Sequence, residues 1–411
     1  MALDGERTLV LQRGVPVARR QLPLALWPVV GLAKTLAEGS LSITLPGGRK
    51  LRVQGAAEGP DASATLHRWG AVPRAAARGD VGLGETYAAG DWDTPDLEAL
   101  LTLFAQNSRA SGTAFDAGPL IRAAFGAGEW LRQNTRRQAK RNIIAHYDLG
   151  NDFYSLWLDP TMTYSSALFE GADTLEAAQE AKMAALAHDV GLSPGDHVLE
   201  IGCGWGGFAR HAAAAGCTVT GLTLSPAQAA FARERAAAAG FSARITVREK
   251  DYRDEAGTYD AVVSIEMFEA VGEAYWGTYF DTLARVLKPG GRAGLQVITV
   301  DDAFFPTYRR GSDFIRTHIF PGGLLPPAGA LRALGAERGL KVVAERAFGG
   351  DYARTLRLWR RHFLEAEAAV AALGHDRKFR RAWRFYLDYC AAGFATGLID
   401  VRQITFQKAA T

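Results

Sequence analysis

From about residue 180 onward the chain alternates short apolar runs with longer amphipathic stretches. The runs at 197–201, 218–222, 244–247, 261–265 and 293–300 have the length of buried strands. Segments 208–215, 226–239 and 276–287, which separate them, carry helical periodicity. Strand and helix alternating in this way predict a mostly parallel sheet wrapped on both faces, a doubly wound α/β architecture. Residues 1–110 read differently. Positions 41–53 alternate about Pro46-Gly47-Gly48, which predicts a hairpin. A short helix over 73–78 ends at Gly79, and another spans 95–105. The pattern is a small α+β domain without catalytic spacing, suited to binding or docking. Residues 111–142 form a linker, and 143–411 make up the larger domain.

Composition narrows the class. With 411 residues, 48% hydrophobic and 22% charged, the chain matches a globular protein of more than one domain. A disordered chain, a collagen-like repeat and a multi-span membrane protein are excluded. The segment 22–33 reads as buried core and not as a secretion signal, because Asp4 and Glu6 precede it and Pro23 and Pro28 interrupt it. Cys203, Cys217 and Cys390 have no metal-ligand spacing and cannot pair completely, which suits reduced thiols in the cytoplasm. No metal site is expected.

The formal net charge of +3 is too small to announce nucleic acid, but the charge is unevenly spread. Arg132, Arg136, Arg137, Lys140 and Arg141 crowd the linker without an acid among them. Residues 301–411 hold 18 Lys+Arg against 11 Asp+Glu. Within them, 357–364 and 377–386 mix basic and aromatic residues at helical spacing. Such helices suit an anionic bilayer surface, and equally a packed interior face with solvated arginines.

The strongest chemical signal is His197-Val-Leu-Glu-Ile-Gly-Cys-Gly-Trp-Gly-Gly207. An apolar strand runs into Gly202, Gly204 and Gly206, and a helix follows. Glycines there let the backbone turn sharply and approach a ligand at the carboxyl end of a strand. The spacing is not that of a dinucleotide loop. Glu200, before the first glycine, would repel a phosphate but accept hydrogen bonds from an amino-bearing cation. Together these features look like a binding loop for S-adenosylmethionine. The second strand ends in Gly221-Leu-Thr-Leu-Ser225 without the usual ribose-binding acid, so Thr223 and Gln228 are the polar groups available. Asp251 and Tyr252 follow the third strand and could flank an adenine; Asp251 could instead cap a helix.

Several motifs together resemble the cyclopropane fatty acid synthases and mycolic acid methyltransferases. They are His146-Tyr-Asp-Leu-Gly-Asn-Asp-Phe-Tyr154, Met162-Thr-Tyr-Ser-Ser-Ala167, the glycine turn, Met267-Phe-Glu269, Phe320-Pro-Gly-Gly323 and Gly350-Asp-Tyr352. The resemblance spans about residues 82–408; residues 1–80 are covered weakly. It implies a Rossmann-like methyltransferase sheet with helical substrate-covering insertions and an amino-terminal lipid-binding domain. It also implies methyl transfer from S-adenosylmethionine to a cis double bond of a phospholipid acyl chain, giving a cyclopropane.

Carried over by motif, the resemblance places Tyr164 and Ser165 at the cofactor. Tyr147, Phe268, Phe314 and Phe320, with Tyr164 and Tyr352, would form an aromatic lining able to stabilise a carbocation. A bound bicarbonate would remove the last proton, held at Ser166, Glu269, Gln296, Ile298 and Tyr352. Two departures bear on that step. Gln296 stands in place of histidine and cannot carry charge, and Glu266 stands where glycine is usual. Either bicarbonate still binds through the Gln296 amide and the ring closes, or Glu266 or a weakened base takes a proton from an adjacent chain carbon and leaves a methyl-branched unsaturated chain. Glu266 could equally be a helix-terminal carboxylate without a role. A catalytically inactive lipid-binding protein is the non-enzymatic alternative. The expected setting is the inner face of the cytoplasmic membrane, with the bilayer surface and unsaturated acyl chains as partners, no nucleic acid, and room for a homodimer.

Overall fold

The structure, a computed structural model, describes residues 8–12, 23–111 and 149–410. The basic linker cluster and Tyr147 lie outside these residues. The chain divides into two compact units. The first comprises Met1–Trp130, Pro306–Ile319 and Glu367–Leu398; the second comprises Leu131–Phe305, Phe320–Ala366 and Ile399–Thr411. Segments 306–319 and 367–398, assigned from sequence to the larger domain, therefore pack with the first unit. The reason is apolar burial: Phe314 and Phe385 meet at 4.7 Å between ring centroids. A Cβ on Gly84 would lie 2.3 Å from the Phe314 ring, so only glycine permits this approach.

In the first unit, strands β1 (Leu9–Gln12), β2 (Glu38–Thr44), β3 (Lys50–Gln54), β4 (Ala57–Leu66) and β5 (Trp92–Asp93) form one sheet, ordered β1-β3-β2-β4-β5. The expected hairpin is β2 and β3, antiparallel with Leu41 opposite Val53. The helix expected to stop at Gly79 continues as a second helix to Ala88, because Gly79 kinks the chain at φ 59°. Helix Trp27–Thr35 buries Val29, Val30 and Ala33, consistent with a core segment. Helix Arg377–Ala395 buries Trp383, Phe385 and Tyr386. Its Arg381 donates to the Tyr87 carbonyl at 2.7 Å and lies over the Tyr87 ring. The aromatic residues of this basic helix thus pack inward, leaving Arg377 and Lys378 exposed.

The second unit is built on β6 (His197–Ile201), β7 (Thr218–Thr223), β8 (Ile245–Glu249), β9 (Tyr259–Ile265), β10 (Leu287–Val300), β11 (Leu340–Ala347) and β12 (Ile399–Lys408). Their order is β11-β12-β10-β9-β6-β7-β8, parallel except that β12 runs antiparallel to both neighbours. The five strands expected from sequence are all present; β11 and β12 are additional. Alternation along β6 sends Val198 into one core and Leu199 into the other. One core is built from helices Leu175–Val190, Gly207–Ala214 and Pro226–Ala238. The other is built from Trp276–Val286 and Ala328–Ala336. The chain leaves β6 toward β7 and β8, then returns to lay β9 on the other side of β6. This reversal makes a crevice at the carboxyl ends of β6 and β9, where open α/β sheets bind ligands. No helix among the described residues is long and apolar enough to cross a membrane.

Candidate active site

The glycine turn grows directly out of β6. Gly202 and Cys203 both donate backbone N–H groups to the Leu222 carbonyl at 2.9 Å, which ties the turn to the end of β7. Gly202 has φ 83°, and a Cβ there would press on Met267 at 2.7 Å. Gly204 also has positive φ, with open space where a Cβ would stand, which leaves its backbone free for a ligand to approach. Trp205 anchors the turn by donating from Nε1 to Asn151 Oδ1 at 2.8 Å.

Glu200 is buried, 3% exposed, and its Oε2 has no hydrogen-bond partner in the protein. Burial raises its carboxyl to about 8, against the opposing Ala209 N–H and the Lys182 charge. An acid held this way fits a cationic amino group, whose arrival restores the charged form. Because the free acid titrates near 8, affinity for such a cation should climb as pH rises toward 8 and fall again once the ligand's own amino group, with a pKa of about 8, loses its proton. Binding below that pH should release a proton, measurable by calorimetry in buffers of different ionisation enthalpy.

Thr223 and Gln228 stand beside the turn, with the Thr223 hydroxyl donating to Gln228 Oε1 at 3.0 Å. Asp251 pairs with Arg253 at 2.5 Å and caps the short helix Tyr252–Asp254, so its capping reading is realised. Tyr252 meets Tyr279 edge to face at 5.3 Å. The Ser165 hydroxyl accepts from Lys182 Nζ at 2.6 Å, so it is already engaged within the protein.

At the carboxyl end of β9 a carboxylate gathers three donors. Glu266 Oε1 accepts from the Ser166 N–H and from Gln296 Nε2, each at 2.8 Å, and Oε2 accepts from the Tyr352 hydroxyl at 2.6 Å. Gln296 is held in this orientation because its Oε1 accepts from Gln403 Nε2 at 3.1 Å across the β10–β12 register. Burial raises the Glu266 carboxyl, while Tyr352, Gln296 and the Lys182 cation oppose the rise. Glu269 accepts from the Ile298 N–H, and its Oε2 is buried without a partner. Burial, and then repulsion from Glu266, lift Glu269 to about 8. Of the two acids, Glu266 is thus the better stabilised anion.

An aromatic cluster lies in the same unit. Tyr164 has Tyr154, Trp157 and Trp359 each at 5.4 Å between centroids, and Phe320 at 6.4 Å. Trp359 extends it to Tyr352 at 6.1 Å. Helix Gly349–Glu365 pins the facing loop: Asp351 accepts from the Phe169 N–H and Thr355 from that of Ala167. Here too a basic helix read from sequence as interfacial turns its aromatics inward, with Trp359 and Phe363 buried and Arg357 and Arg361 exposed.

The sequence of the family described as "Mycolic acid cyclopropane synthetase" matches residues 134–404. The chain belongs to this family. It is 40% identical over 372 residues to the tuberculostearic acid methyltransferase UfaA1 of Mycobacterium tuberculosis, covering 85% of this chain and 84% of that one. It is 34% identical over 333 residues to the cyclopropane-fatty-acyl-phospholipid synthase of Escherichia coli, covering 80% and 84%. Among solved structures, the cyclopropane synthase MmaA2 from Mycobacterium tuberculosis aligns with a TM-score of 0.62 at 34% identity, covering 66% of this chain and 98% of that one. The mycolic acid cyclopropane synthase CmaA1, complexed with SAH, aligns at 0.61 and 33%, covering 66% and 98%. As a member of the family, the protein is an S-adenosylmethionine-dependent methyltransferase with a Rossmann-like fold.

Set against the family pattern, Ser166, Gln296, Tyr352 and Glu266 come together, and Ile298 and Glu269 meet beside them. Two expected pocket residues, Phe268 and Phe314, are both buried. Phe268 sits in the core against Trp276, Tyr279 and Phe280, because the short helix Phe268–Ala270 turns it under the sheet. Phe314 belongs to the first unit. Sequence reading missed Lys182 and Gln403. Lys182 had a signal: it falls on the apolar stripe Leu175, Ala178, Met183 and Leu186, where a cation is anomalous. It is fully buried, bonded to Ser165 and Gln179, and lowered by burial to about 8.

Proposed function

We propose that this enzyme methylates a cis double bond in the acyl chain of a membrane phospholipid and leaves a methyl-branched unsaturated chain. The observation that carries this reading is a hydrogen-bonded carboxylate and an aromatic cluster in the same unit as the glycine turn and its buried Glu200. S-adenosylmethionine, when bound, supplies an electrophilic methyl group. Glu200 and the turn are the groups that would hold it. An alkene is a weak nucleophile, so the protein's part is to position it and keep water away. Tyr164, Trp359 and Tyr352 offer faces and edges to the positive charge that methylation leaves on the chain.

Two features favour the branched product over ring closure. Gln296 is a neutral amide committed to Glu266 and Gln403, so this position brings no imidazole to the proton-removal step. The 40% identical relative is named for tuberculostearic acid, which is a methyl-branched acid, whereas the cyclopropane-fatty-acyl-phospholipid synthase is 34% identical. The positive excess in residues 301–411 supports work at an anionic bilayer on the cytoplasmic side.

The test is expression in a host lacking its own cyclopropane synthase, followed by NMR of the extracted fatty acids. The expected product shows a vinylic proton beside a methyl branch. Upfield cyclopropyl protons would replace the branched product by the ring, and unmodified lipids would overturn the assignment altogether.

A further inference from the structure

We infer that Glu266 is the resident general base of this enzyme, and that its carboxylate fills the anion cradle that a bicarbonate would otherwise need. The inference rests on the methyl-transfer reading above. Its ground is the occupancy of the cradle. A carboxylate and a bicarbonate present the same planar pair of oxygens, and three of the groups expected to grip bicarbonate grip Glu266 instead. These are the Ser166 N–H, the Gln296 amide and the Tyr352 hydroxyl. A fourth, Glu269, is raised by burial and by the Glu266 charge beside it, and a second anion there would meet repulsion from Glu266. The residues present do not fit bicarbonate.

The backbone points the same way. Glu266 has φ 48°, one of two non-glycine residues with positive φ among those described. The left-handed conformation strains a residue with a Cβ, and such strain persists only where the surroundings enforce it. Here the Glu266 N–H donates to the Gln296 carbonyl at 2.7 Å, fixing the turn that aims the side chain at its donors. The Lys182 cation, buried in the same unit, favours the ionised form.

The step balances without a co-reactant. After methylation the chain carries a carbocation; Glu266 takes a proton from a neighbouring carbon, and the C–H electron pair becomes the π bond of a new carbon–carbon double bond. The resulting neutral acid returns its proton to solvent before the next cycle. A cation of this kind needs only a weak base, so position matters more than basicity. Three hydrogen bonds also blunt the carboxylate as a nucleophile, which disfavours trapping of the cation as an ester.

The experiment compares wild type with Glu266→Gly on vesicles of unsaturated anionic phospholipid, in carbonate-free buffer with and without added sodium bicarbonate. The wild-type rate should be indifferent to bicarbonate. Glu266→Gly should lose about 100-fold or more in rate while keeping cofactor affinity, and added bicarbonate should restore about tenfold or more. Labelled bicarbonate followed by NMR gives a readout apart from turnover: its line should broaden with Glu266→Gly and stay sharp with wild type. A wild-type rate that falls on bicarbonate removal, equal broadening by both proteins, or a fully active Glu266→Gly without bicarbonate would each overturn the inference. Wild type that methylates no unsaturated phospholipid would instead strike the functional reading, and the binding comparison would still decide what occupies the cradle.

Discussion

Glu200→Gln should weaken S-adenosylmethionine binding by about 100-fold or more, because it removes one partner of a buried charge pair while keeping the shape of the side chain. The wild-type carboxyl already bears the cost of burial, with Oε2 lacking any protein partner. A cationic amino group is what converts that cost into affinity. The amide keeps hydrogen-bonding capacity but not charge, so the loss should fall on affinity and leave thermal unfolding of the free protein unchanged or slightly improved. The rise in affinity toward pH 8 should vanish with it. Calorimetry on both proteins across pH 6 to about 9 brackets the raised carboxyl and checks both outcomes. Retained affinity with a retained pH dependence would show that another group reads the ligand's charge.

Trp359→Ala should be the most damaging change in the aromatic cluster. The side chain is fully buried and packs against Trp157 at 5.7 Å, Tyr164 at 5.4 Å and Tyr352 at 6.1 Å. Truncation of a buried tryptophan costs about 3–5 kcal/mol. That corresponds to a drop in melting temperature on the order of 10 °C. A second consequence concerns the product. The cavity left beside Tyr164 and Tyr352 can admit water, and water traps a carbocation as an alcohol. Mass spectrometry of the lipids should then show a hydroxylated, methylated chain beside the normal product. A stable variant with an unchanged product would mean that the cluster lies away from the reacting carbons. Trp359→Phe, which keeps an aromatic face, should recover most of the stability and suppress the alcohol.

Much of the second unit is legible from sequence because its signals are local. A five-residue apolar strand, three positive-φ glycines and a helix fall within one short stretch, so β6, the turn and Glu200 could be placed without tertiary information. The hairpin β2–β3 announces itself for the same reason. β11 and β12 escape because neither is an apolar run like the central strands: charged residues interrupt both, and Glu345 of β11 and Arg402 of β12 form an ion pair at 2.9 Å. Helix Arg377–Ala395 misleads because a sequence shows the composition of a helix and not which neighbour covers its aromatic face.

Short motifs in the sequence carried the resemblance to the family and marked the cofactor turn and the residues available for the chemistry, since each depends on short-range order along the chain. Only the tertiary structure decided how those residues divide their work. Gln296 and Glu266 are 30 positions apart, and Tyr352 is 86 beyond Glu266. Their meeting depends on β9 and β10 lying side by side and on helix Gly349–Glu365 facing them. From sequence, Gln296 was a missing histidine and Glu266 a glycine out of place, two separate departures. In three dimensions they are one hydrogen-bonded unit: the amide lost as a charged base holds the carboxylate gained as one.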